Sequence, residues 1–71
     1  MQTYTVLSAS IAMPNQPTIA RLQAADQVAA ERAWAFTRNM SCVAYAYVCA
    51  GEVSLRDFHN GRGKWTKFHG R

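Results

Sequence analysis

Cys42, Cys49, His59 and His69 are the side chains of this 71-residue chain best suited to hold a metal or attack an electrophile. A zinc centre needs such groups paired as C-x-x-C or H-x-x-x-H, so that two donors reach one ion from a single turn or helix face. Neither pair has that spacing, so no metal site is expected, and nothing points to a cofactor. Cysteine catalysis requires a thiolate beside a base, but both thiols fall in one apolar, strand-like run, Cys42 to Ala50. Buried packing is the better account of them. At about 3.3 Å per residue the two would sit about 23 Å apart on opposite faces, where no intrachain disulfide closes. Reduced thiols suit a cytoplasmic setting. Acid–base chemistry has four carboxylates to draw on, Asp26, Glu31, Glu52 and Asp57, and no two share a face. An enzyme is not expected. Asn60-Gly61-Arg62-Gly63 has the composition of a phosphate loop, but such loops run from a strand into a helix N-terminus. Here both flanks read as strands, which predicts a hairpin turn.

What remains is a binding composition. The net charge of +4 lies wholly in residues 56 to 71, where Arg56, Arg62, Lys64, Lys67 and Arg71 face Asp57 alone. Upstream, Arg21, Arg32 and Arg38 cancel Asp26, Glu31 and Glu52. Together with Tyr45, Tyr47 and Trp65, the cations Arg56, Arg62, Lys64 and Lys67 form the candidate partner-binding set, and Trp34 is added as a tryptophan on a polar helix face. Aromatics among cations stack bases while the charges track phosphates, as in single-strand binders. The same residue types make protein hot spots. A third reading has Trp65 and Phe68 close the end of a small core while the lysines keep it soluble.

These residues need elements to position them. Thr3 to Ile11 mixes β-branched, aromatic and small residues, and Met13-Pro14-Asn15-Gln16-Pro17 is turn chemistry. Thr18 to Gln23 then reads as a returning antiparallel strand. Ala24 to Met40 is alanine-rich without proline or glycine, acidic early and basic late, which predicts the one helix. On a wheel, Ala25, Ala29, Ala33, Phe36 and Met40 share one side, and Gln27, Glu31, Trp34 and Arg38 the other. A slightly rotated helix would bury Trp34 at the core edge instead. In Cys42 to Ala50, alternation separates Cys42, Ala44, Ala46, Val48 and Ala50 from Val43, Tyr45, Tyr47 and Cys49, and the small-residue face suits a helix. Glu52 to Phe58 and Lys64 to Phe68 read as two strands of a hairpin turning at Asn60-Gly61. In the second, Trp65 and Lys67 face one way and Lys64, Thr66 and Phe68 the other.

The expected fold is therefore α+β, two-layer: an antiparallel sheet of about five strands with a single helix on one face, in the order ββαβββ. The uncovered face, with the basic hairpin, is the expected contact surface, and it could equally serve a homodimer. Residues 1–71 form one small domain, and a chain this short buries only about 60% of its unfolded surface. With 49% hydrophobic and 17% charged residues, it is expected to fold. The start Met1-Gln2-Thr3-Tyr4-Thr5 lacks a basic n-region, so no secretory signal is expected. The longest apolar run, nine residues, is far below the roughly 20 that span a bilayer.

The opening Thr3-Tyr4-Thr5-Val6-Leu7, the helix from Ala24 to Met40 and the closing Asp57-Phe58-His59-Asn60-Gly61-Arg62-Gly63-Lys64-Trp65, in this element order, resemble small phage-encoded anti-CRISPR proteins. The likeness is to the type I-F class, with one helix on a five-stranded antiparallel sheet, and it is architectural, with no diagnostic motif. It implies a non-enzymatic inhibitor that docks on a host protein or ribonucleoprotein complex, a crRNA-guided Cas surveillance complex, with its basic side near nucleic acid. The positive charge departs from the acidic, DNA-mimicking type of inhibitor. The alternative read from the residues themselves is a small basic module that binds single-stranded nucleic acid directly.

Overall fold

The computed structural model describes residues 1–70. Strand β1 (Gln2–Ser10) and strand β2 (Thr18–Ala24) form the predicted antiparallel hairpin around the proline-bearing turn, in unbroken register from Gln2↔Ala24 to Ser8↔Thr18. Helix α1 (Gln27–Phe36) follows, started by Asp26, whose carboxylate accepts from Ala29 N at 2.8 Å. That bond satisfies one of the orphan donors of the first turn. A 3-10 turn at Met40–Cys42 leads into β3 (Val43–Ala50), then a short helix α2 (Leu55–His59) and the last strand, β4 (Thr66–Gly70). All four strands join one antiparallel sheet in the order β2-β1-β3-β4.

The α+β class and the helix on an antiparallel sheet stand, but three finer expectations do not. The sheet has four strands, not five, and the order is ββαβαβ, not ββαβββ. The residues read as a fifth strand, Glu52 to Phe58, instead enter α2. Ser54 begins that helix with a capping box: its hydroxyl accepts from Asp57 N at 3.1 Å, and the Asp57 carboxylate accepts from Ser54 N at 3.3 Å. Asn60-Gly61 then ends the helix and does not turn a hairpin. Gly61 N donates to Phe58 O at 3.0 Å and Arg62 N to Asp57 O at 2.8 Å, with Gly61 at φ +74°. This is the bond pattern of a Schellman stop, whose left-handed residue favours glycine. Asn-Gly serves both turn types, and Ser54 three residues before Asp57 decides between them.

The third correction concerns layering. On one face of the sheet, Tyr4 and Val6 of β1, Ala46 and Val48 of β3 and Ala24 at the end of β2 pack under Ala30 and Trp34 of α1. The alternation predicted for Ala46 and Val48 holds, and small residues let the helix approach. The other face is not open. Thr5, Leu7, Ala9 and Cys49, which alternate with the first set, are buried as well; the chain after β3 folds back so that Gly51 and Val53 bond to Thr5 and Gly63 lies against Cys49. Central strand β1 is thus buried on both sides, and the sheet lies between two coverings. The two layers expected from sequence are in effect three, with segment 51–65 as the third.

Trp34 corrects the wheel. It is 4% exposed and meets Phe68 of β4 edge-on, ring centroids 5.6 Å apart at 89°, while Phe36 is 92% exposed. The helix is rotated toward the alternative orientation, and Trp34 is core, not a surface for a partner.

Candidate interaction surface

The second face of the sheet is built around a threonine. Thr5, fully buried, donates from Oγ1 to Gly51 O at 2.6 Å and accepts from Val53 N at 3.2 Å. A hydroxyl serves here because it can donate and accept at once. It bridges two backbone groups of the loop leaving β3, while Gly51 N donates to Thr3 O at 2.8 Å. The loop is thereby pinned to β1, and α2 is delivered over β3.

Register places the aromatic set on this same face. Tyr47 pairs with Leu7 of β1 and Lys67 of β4, and Tyr45 pairs with Ala9. Phe58 of α2 lies 5.7 Å from Tyr47 and 5.4 Å from Trp65, and Tyr45 lies 5.8 Å from Tyr47. The contacts of Tyr45 with Tyr47 and of Phe58 with Trp65 are edge-on, the arrangement that ring quadrupoles favour. All four rings are half-buried. Two are also tied by their polar ends: Tyr45 OH donates to Pro14 O at 3.1 Å and Trp65 Nε1 to Arg62 O at 2.9 Å. The expected alternation of β4 holds, with Lys67 on the Tyr47 side and Phe68 against Trp34.

Around this aromatic strip stand the cations. Arg56 lies on α2, Arg62 and Lys64 on the link to β4, and Lys67 on β4 itself. The sequence reading omitted Arg21, which pairs with Thr5 and so shares the face of Thr5 and Cys49. Alternation in β2, with Ile19, Arg21 and Gln23 opposite Ala20, Leu22 and Ala24, was the signal for it. This side of the sheet therefore gathers five cations against Glu52 and Asp57, whereas α1 and the residues that flank it carry Arg32 and Arg38 balanced by Asp26 and Glu31. Arg71 of the candidate basic segment lies outside the described residues. Of the sequence-derived set, Tyr45, Tyr47, Arg56, Arg62, Lys64, Trp65 and Lys67 come together, and Trp34 is on the opposite face.

Asp57 is held in its charged form. The Ser54 hydroxyl, at 2.9 Å, and then the Ser54 backbone amide donate to its carboxylate and lower its pKa below the usual 3.8, with smaller help from the guanidinium groups of Arg62 and Arg56. The Arg62 contact is 4.0 Å, too long to do more. A depressed carboxylate pKa stabilises the fold fully above the unfolded value and loses that contribution as pH falls through the folded one. Amide protection in Arg56–His59 is therefore expected to decline below pH 3.8. In Asp57→Asn it should be weaker at neutral pH and free of that step, and an unchanged acid profile would refute the assignment.

Among the described residues, no three His, Cys, Asp or Glu side chains cluster as metal ligands, and both cysteines are free, Cys42 exposed and Cys49 buried. No described helix is long and apolar enough to cross a membrane. Compared with known proteins, the chain matches no family model, no curated protein sequence and no solved structure.

Proposed function

We propose that this chain is a non-enzymatic binding protein, a phage-encoded inhibitor of the anti-CRISPR kind. It docks on a host crRNA-guided ribonucleoprotein in the cytoplasm with the α2 side of its sheet. The observation that carries this reading is the one-sidedness of the charge: Arg21, Arg56, Arg62, Lys64 and Lys67 share the side that holds Tyr45, Tyr47 and Trp65. Such a surface draws in an anionic assembly and sets its orientation. Tyr, Trp and Arg in one strip are also what protein hot spots are made of.

The second reading, a module that binds single-stranded nucleic acid directly, uses the same cations. It is less favoured because base stacking needs a free ring face. Here the rings are half-buried and pack on one another. Phosphates remain within reach of the cations, but bases lack a platform.

The two are separated by titrating the protein against a purified type I-F surveillance complex and against a single-stranded oligonucleotide. Stoichiometric binding to the complex is expected, weakened about tenfold or more by Arg56→Glu with Lys64→Glu. Oligonucleotide binding should be weaker and fall steeply with salt. Equal affinity for the bare oligonucleotide would favour the second reading, and no binding to either would overturn both.

A further inference from the structure

The two edges of the sheet are built differently. β4 is five residues long, carries Lys67, breaks register against β3 between Ala46 and Tyr47 and ends at Gly70 with φ +112°. Shortness, a lysine and a break in register keep an edge from pairing with another chain. β2 has none of these devices: its seven residues, Thr18–Ala24, run in unbroken register without proline.

The ladder fixes which backbone groups of β2 are left over. Gly51 N donates to Thr3 O, so Thr3 and, alternating with it, Thr5 and Leu7 aim their backbone groups at β3. Tyr4, Val6 and Ser8 then bond to β2 through their register partners Leu22, Ala20 and Thr18. The N–H and C=O groups of Ile19, Arg21 and Gln23 therefore point outward at the edge, and among the described residues no turn, loop or cap bonds to them. On the α2 face this edge presents Arg21, exposed and in no ion pair. On the α1 face it presents Ala20 and Leu22, which pack on the core cluster and are only partly buried.

We propose that the β2 edge takes up an extended segment of the partner protein as a fifth, antiparallel strand, with a carboxylate opposite Arg21 and apolar residues opposite Ala20 and Leu22. Charge selects this occupant. The face that such a strand extends holds five cations against two carboxylates, so an acidic segment is drawn in and a basic one repelled. A second copy of this chain fits less well. Pairing β2 with itself along its full length sets the two Arg21 side chains directly opposite one another, where like charges are destabilising. Arg21 thus closes the edge to self-association and opens it to an acidic strand. The inference deepens the docking reading and rests on it for the identity of the partner, whereas the pairing itself can be tested without the assembly.

The probe is the acetylated and amidated peptide Thr-Thr-Val-Glu-Val-Thr-Thr, added to the ¹⁵N-labelled full chain. The amides of Ile19, Arg21 and Gln23 are expected to shift to saturation and to exchange more slowly. Those of Ala20 and Leu22, already in the ladder, should change little. Lysine in place of the peptide's glutamate should weaken binding about fivefold or more, and Arg21→Glu should reverse that preference. N-methylating the glutamate should weaken binding about tenfold, since its N–H is the one that pairs with Arg21 C=O. No shift of the three amides, or full affinity of the N-methylated peptide, would overturn strand pairing. An unchanged preference in Arg21→Glu would overturn the acidic occupant, as would concentration-dependent shifts of the same amides with no peptide present, the sign of a second copy. In a formed complex with the surveillance assembly the three amides should also be protected. A complex that forms without that protection would overturn the inference and leave the docking reading intact, whereas peptide pairing with no complex would do the reverse.

Discussion

Trp34→Ala is expected to destabilise the fold by about 3–5 kcal/mol, the range for emptying a large aromatic site in a core. Ala30 and Ala46 on either side are small and fully buried, so neighbours cannot expand into the space. The edge-on contact with Phe68 goes with the indole, and with it the tie between α1 and β4 on that face. A domain of this size holds roughly 4–10 kcal/mol in all. The variant should therefore be partly unfolded at room temperature, read by urea titration with far-UV circular dichroism. Trp34→Phe should lose much less, since it keeps a ring and discards an N–H that has no partner. Wild-type stability in Trp34→Ala would mean that α1 is held by something other than this side chain.

Thr5→Val is the second large effect, although it changes almost no volume. It strands Gly51 O and Val53 N, both bonded only through the Thr5 hydroxyl on this side. At about 1–3 kcal/mol for each of the two stranded groups, the expected loss is about 2–6 kcal/mol. The loss is also local. Hydrogen exchange in segment 51–65 should accelerate more than in β1 or β3, because that segment is the one the bond pins. Thr5→Ser keeps the hydroxyl and should restore most of the protection. If Thr5→Val speeds exchange evenly across the sheet, the threonine is ordinary core and not the tether of α2. Binding at the cationic surface should fall with it, since Arg56 and Phe58 ride on α2.

How far the sequence could be read differs by element, for physical reasons. β1, β2 and β3 were legible because turn residues bracket them and period-two alternation is unambiguous once a strand is granted. The same alternation sorted Lys67 from Phe68 in β4. In α1 the periodic signal is weak: alanine at positions 25, 29, 30, 33 and 35 fits nearly any rotation. The orientation rests on whether Trp34 or Phe36 is buried, and those two lie on nearly opposite sides of a helix. Only Phe68, brought in from β4, decides it. For residues 52 to 61, local preferences conflict, since Asn-Gly suits a hairpin or a helix stop.

By itself, then, the sequence determined the α+β class, all four strands, with β4 read two residues early, the presence of α1 and the placing of net charge in the C-terminal segment. These follow from local propensity, spacing and composition. The tertiary structure alone decided that the second sheet face is covered, that Trp34 turns inward and that Arg21 joins the C-terminal cations. Each depends on a contact between residues distant in the chain: Thr5 with Gly51 and Val53, Trp34 with Phe68, Arg21 with Thr5. Pairing across such distances is selected by the whole fold, and no window of sequence contains both partners.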